Sequence, residues 1–154
     1  SPLPPENNPM EQIDFHFGVA NRTVYVAKLI KKVQKMGLSV AVWGRDDILM
    51  KRAYDDLWRF EDLTFIAHCW VGDAHEADCT VRFGKDLAKL PTSDVLVLLD
   101  EEVPADWQNA LKRFKRVVDI VSQRETELQN ARNRYRIYHR SAGVVLRAFD
   151  RSKS

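Results

Sequence analysis

Asp94-Val95-Leu96-Val97-Leu98-Leu99 is the stretch whose reading decides the fold. After Asp94 no residue is polar, so a strand here offers no face to water and must be covered on both sides. Ser39-Val40-Ala41-Val42-Trp43 has the same character. Further strands follow from Ile13-Asp14-Phe15-His16-Phe17, which alternates apolar and polar residues, and from Thr64–Val71, Thr80–Phe83 and Arg116–Val121. Between these runs the apolar spacing becomes helical. Val26, Leu29, Ile30 and Val33 form one stripe, with Asn21 or Thr23 as its cap and Gly37 just past its end. Met50, Ala53, Tyr54 and Leu57 form another, behind the acidic start Asp46-Asp47 and with Trp58 at its edge. Pro104 opens a third, carrying Trp107, Ala110, Leu111 and Phe114. A last helical pattern runs from about Glu125 to Leu146. Strands alternating with helices specify an α/β fold, a Rossmann-like three-layer sandwich around a mainly parallel central sheet.

The chain has 154 residues, 45% of them apolar and 30% charged, which suits one globular domain with a real core. Residues 1–9 hold four of the six prolines and precede Met10, so they read as a leader or disordered arm ahead of a domain spanning 10–154. No apolar run reaches the roughly 20 residues needed to cross a bilayer, and no export signal is evident. Cys69 and Cys79 then read as reduced thiols of a cytoplasmic protein.

Net charge is +2, but it is unevenly spread. Residues 128–154 carry seven basic groups against Asp150 alone, so the remainder of the chain is acidic by four charges. A basic C-terminal segment on an acidic body points to a local anionic partner rather than to a broad coat on nucleic acid.

Several chemistries lack their residues. The turn Gly18-Val19-Ala20-Asn21-Arg22 is not G-x-G-x-x-G, so a backbone able to hug a pyrophosphate is missing. Gly84-Lys85-Asp86 is no P-loop, and there is no G-x-S-x-G elbow. His68, Cys69, His75 and Cys79 have ligand chemistry without ligand spacing. The acid pairs Asp46-Asp47, Asp55-Asp56 and Glu101-Glu102 diverge by ~100° on a helix and do not converge on one atom. No catalytic residue, metal or cofactor is expected.

The final helical pattern has two faces. Leu128, Ala131, Tyr135, Tyr138, Ala142 and Val145 are spaced by threes and fours, a stripe that docks on the sheet. Arg132, Tyr135, Arg136 and His139 fall at i, i+3, i+4 and i+7, with Arg140 close by. Guanidinium forks match carboxylates, and a half-buried tyrosine adds apolar area and a hydroxyl. Such a surface fits an acidic peptide with a hydrophobic anchor, with phosphate as the competing ligand.

Asp56-Leu57-Trp58, Thr64-Phe65-Ile66-Ala67-His68, Val117-Val118-Asp119-Ile120-Val121 and Ala131-Arg132-Asn133-Arg134-Tyr135-Arg136-Ile137-Tyr138, followed by Ala142-Gly143, form an ordered set. It resembles the chi subunit of bacterial DNA polymerase III, over about Asp14 to Leu146. The resemblance implies a non-enzymatic adaptor of DNA replication. Chi-like proteins join the clamp loader through the psi subunit and bind the acidic, Phe-ended tail of single-stranded-DNA-binding protein. By position, the tail pocket would use Arg132, Tyr135 and Arg136, with Trp58 and Phe65 on its apolar side and DNA contacted only indirectly. His139 and Leu128 stand where the family has more basic residues, and Arg140 offsets part of that loss. The competing readings are a single-stranded nucleic-acid-binding module using the basic helix, a phosphate-using enzyme with a cleft at the strand C-termini, and a purely structural subunit.

Overall fold

The computed structural model describes residues 12–59, 67–141 and 143–153. The leader 1–9 lies outside them. Seven strands form the centre: β1 (Gln12–Val19), β2 (Val40–Trp43), β3 (His68–Trp70), β4 (Val81–Gly84), β5 (Val95–Leu98), β6 (Arg116–Ser122) and β7 (Val145–Asp150). Among the described residues four α-helices flank them: α1 (Arg22–Lys35), α2 (Asp47–Arg59), α3 (Trp107–Ala110) and α4 (Glu125–His139). The strand order is β3-β4-β2-β5-β6-β1-β7, and every neighbouring pair is parallel. The Rossmann-like sandwich is therefore observed, with its described strands wholly parallel.

Val95 to Leu98 sit at the sheet's middle and are all buried, as a run without a polar residue requires. Their side chains alternate between two cores. Val95 and Val97 join Val26, Ile30, Met50 and Leu57 under α1 and α2. Leu96 and Leu98 join Leu111, Phe114, Ala131 and Tyr138 under α3 and α4.

Connection direction explains this division of helices. The crossovers β1–α1–β2 and β2–α2–β3 run toward the β3 edge, whereas β5–α3–β6 and β6–α4–β7 run toward the β7 edge. With one handedness for all crossovers, opposite directions deposit helices on opposite faces. So α2 and α4 lie on opposite sides of the sheet.

Local signals in the sequence match local geometry in several places. Asn21 caps α1, its side chain accepting from the Val24 amide at 3.2 Å. Gly37 takes φ +77° just past the helix end. Gly44 is required for another reason, since an added Cβ would meet the Leu99 carbonyl oxygen at 2.4 Å, where the ends of β2 and β5 pass closely.

Three expectations are corrected. The last helix does not run to Leu146: α4 stops at His139, and the chain turns through Gly143 (φ +87°) into β7, which pairs with β1. Val145 continues the three-four spacing by coincidence, and the strand-forming run Val144-Val145-Leu146 is better served by hydrogen bonds to an open sheet edge. Pro104 does not open its helix. α3 starts at Trp107, after Asp106 in a left-handed conformation, and tightens into a 3₁₀ turn at Leu111–Arg113. Of the expected strand Thr64–Val71, Ala67 and Val71 lie outside β3 (His68–Trp70), and Thr64–Ile66 lie outside the described residues.

Candidate functional site

α4 is fastened to the sheet by its inward residues. Ala131, Arg134 and Tyr138 are its buried positions. The Arg134 guanidinium donates to both carboxylate oxygens of Asp119 on β6, at 2.9 and 2.8 Å, and to the Glu101 carbonyl at 2.9 Å. Burial pushes the Asp119 carboxyl up, and the guanidinium beside it opposes that shift. Tyr138 lies edge-on to Trp107 at 4.9 Å and against Phe15 at 6.0 Å. Burial likewise raises its hydroxyl well above the ordinary tyrosine range.

This anchoring leaves one flank of α4 facing out. Tyr135 is 37% exposed, its ring centroid 5.4 Å from that of Phe15. The His139 ring stacks on it at 6.0 Å and 18°. Arg132, Arg136 and Arg140 are exposed around this pair. Arg136 leans back, donating to Asn133 at 2.9 Å. Among the described residues Arg132 and Arg140 have no carboxylate partner, so their charge is available. Leu128, one turn before Arg132, and Leu146 of β7 are half-buried against the same core as Phe15 and add apolar surface on this side of the sheet. The result is a hydrophobic strip edged by guanidinium groups, which can hold an apolar side chain and its neighbouring carboxylates together.

Five of the seven candidate residues, Arg132, Tyr135, Arg136, His139 and Arg140, thus gather at one end of α4. Trp58 does not join them. It lies on α2, across the sheet, 56% exposed and 4.5 Å from the His68 ring. Its neighbours are Tyr54 and Trp70, stacked at 4.9 Å and 15° at the β3 edge. Phe65 lies outside the described residues. On the α4 face the apolar residues are Phe15, Leu128 and Leu146, and parallel crossovers in opposite directions keep α2 and Trp58 from that face.

His68 and Cys69 are consecutive in β3 and point to opposite faces, which separates the supposed ligand set. His68 Nε2 lies 3.1 Å from the Tyr54 carbonyl oxygen, while the Cys69 thiol reaches toward the Glu76 carbonyl at 4.0 Å.

The Arg134–Asp119 pair escaped sequence reading, which counted Arg134 among the basic groups of the C-terminal segment. A signal was present: Arg134 shares the spacing of Ala131 and Tyr138, and Asp119 stands alone within the apolar run Val117–Val121.

The family described as DNA polymerase III chi subunit, HolC, matches residues 10–147 of the 154. The chain belongs to the chi subunit family. It is accordingly an accessory subunit of DNA polymerase III, acting in replication. No curated protein matches the chain. Among solved structures, the C-terminal domain of the DEAD-box protein Dbp5 superposes with a TM-score of 0.55 over 90% of each chain at 9% identity. At that identity the likeness concerns the fold alone. Among the described residues no helix is long and apolar enough to cross a membrane.

Proposed function

We propose that this chi-family chain is a non-catalytic adaptor whose α4 flank binds the acidic, Phe-ended C-terminal tail of single-stranded-DNA-binding protein. The observation that carries the reading is the juxtaposition of Arg132, without a carboxylate partner among the described residues, with half-exposed Tyr135 over Phe15. A terminal aromatic residue needs an apolar floor. The carboxylates beside it need guanidinium groups that no internal acid already occupies. Single exposed ion pairs are worth only about 0–1 kcal/mol, so affinity rests on several charges plus the desolvated ring, and micromolar binding follows.

The link to the psi subunit is assigned to the other side of the molecule, around Trp58, Tyr54 and Trp70. Aromatic residues concentrated at a sheet edge are the composition of a protein interface, and their place across the sheet lets both partners bind at once.

A titration of the tail peptide against an equal-length single-stranded oligonucleotide, at low and moderate salt, tests the reading. The peptide should bind more tightly, and amidation of its terminal carboxylate should weaken it. Preference for the oligonucleotide, with a steep salt slope, would instead favour direct strand binding by the basic helix.

A further inference from the structure

In a parallel α/β sheet a crevice opens where two adjacent strands send their connections to opposite faces. β1 and β6 are such a pair, α1 leaving to one face and α4 to the other. Beyond their carboxyl ends lies a cavity of about 400 Å³, the size of small-molecule pockets. It is separate from the outer flank of α4 and from the aromatic group around Trp58.

Four arginines from three elements line it: Arg22 opens α1, Arg52 and Arg59 lie on α2, and Arg124 precedes α4. The acids there are Asp56 and Glu127, and both are engaged. Asp56 faces Arg59 at 3.5 Å. Glu127 accepts from Ser122 at 2.7 Å and from Arg22 at 2.8 Å, and its other oxygen faces Arg124 at 3.7 Å. The lining therefore keeps an excess of positive charge, and Arg52 has no carboxylate partner among the described residues. Arg22 supplies a second indication. It is only 7% exposed, held also by Glu101 at 2.6 Å, yet its buried Nε has no hydrogen-bond acceptor among the described residues. A buried donor left without an acceptor is costly, and a shift of the Arg22 side chain toward an anion in the crevice would relieve it.

We propose that this crevice is a site for a phosphate monoester of nucleotide size. Guanidinium groups arriving from several directions suit a tetrahedral dianion, and the positive end of the α1 dipole adds to the field. Among the described residues no aromatic side chain lines the cavity, and the arginines make the phosphate the recognised part. The turn after β1 lacks the glycines that admit a pyrophosphate to the backbone, so a dinucleotide is disfavoured. A free nucleotide and the 5′ end of a nucleic-acid strand present the same chemistry.

Calorimetric titration of the intact protein with adenosine monophosphate, adenosine, and one oligonucleotide carrying either a 5′-phosphate or a 5′-hydroxyl tests this. A phosphorylated ligand should bind about tenfold or more tightly than its unphosphorylated counterpart. Tighter binding of the phosphorylated oligonucleotide than of the nucleotide identifies the source as a strand end; the reverse identifies a free nucleotide. Arg52→Ala combined with Arg124→Ala, both exposed positions, should abolish the preference without lowering the melting temperature. Arg132→Ala should leave it intact, which separates this site from the tail-binding flank. Equal affinities with and without phosphate, no binding at millimolar ligand, or a preference that survives the double substitution would overturn the proposal.

Discussion

On the inward side of α4, Arg134 is 3% exposed and gives a two-pronged grip to Asp119. Two residues earlier, Arg132 stands in solvent with no carboxylate partner among the described residues. The residue type is the same and the helix is the same. A 200° difference in helical direction decides that one guanidinium fastens the helix while the other is left for a partner. Burial also explains why they should respond differently to mutation. A buried ion pair contributes little net stability compared with apolar residues, but breaking it strands a charge. An exposed arginine has water as its alternative.

The largest expected effect tests the inward residue. Arg134→Ala should cost about 3–5 kcal/mol of unfolding free energy in urea titration, because Asp119 then stays buried alone. Replacing both partners with apolar residues of similar size should recover most of the loss. If Arg134→Ala proves as mild as a surface substitution, the contrast between the two arginines disappears.

His16 shows burial acting without a matching partner. Its Nδ1 lies 2.6 Å from the Tyr25 hydroxyl. Burial first, and the charge of Arg151 second, hold its pKa down to about 4. The folded value lies below the unfolded one, so the unfolded chain takes up the proton first on acidification. Stability is then full above pH ~6.5 and is lost as pH falls toward 4. Allowing for solvent screening, the wild type should lose about 1–2 kcal/mol more than His16→Gln between pH 7 and pH 5. Parallel pH profiles for the two proteins would show that His16 titrates normally.

At the outer flank, Arg132→Ala should weaken tail-peptide binding by about 1 kcal/mol or slightly more, with an unchanged melting temperature. An isotherm identical to the wild type would remove Arg132 from the site. The smallest effect belongs to the opposite face. Trp58→Ala should leave tail-peptide affinity within about 0.3 kcal/mol while reducing capture of psi, since distant sites act independently. A large loss of peptide affinity would mean that the two faces are not separate.

Most of the fold was legible because its signals are local. The unbroken apolar run at 95–99 demands cover on both faces, and the stripes of α1 and α2 each follow from a few neighbouring residues. The end of the chain was less legible. Val145 fits both a helical stripe and a strand, and only the open edge of β1 decides between them. The candidate site was half legible for the same reason. Arg132, Tyr135, Arg136 and His139 share a flank by helical period alone. Whether Trp58 could reach them depends on crossover direction, which no local pattern carries.

By itself, then, the chain's order of residues determined an α/β sheet with a cationic, tyrosine-bearing last helix and a family resemblance carried by an ordered set of stretches that ends in that helix. Tertiary structure alone decided which arginine is consumed by an internal carboxylate, which face receives each aromatic group, and where arginines from separate helices meet at the strand ends. The reason is range: periodicity acts over one or two helical turns, whereas Asp119 with Arg134, and Arg22 with Arg52 and Arg124, become neighbours only when the sheet is assembled.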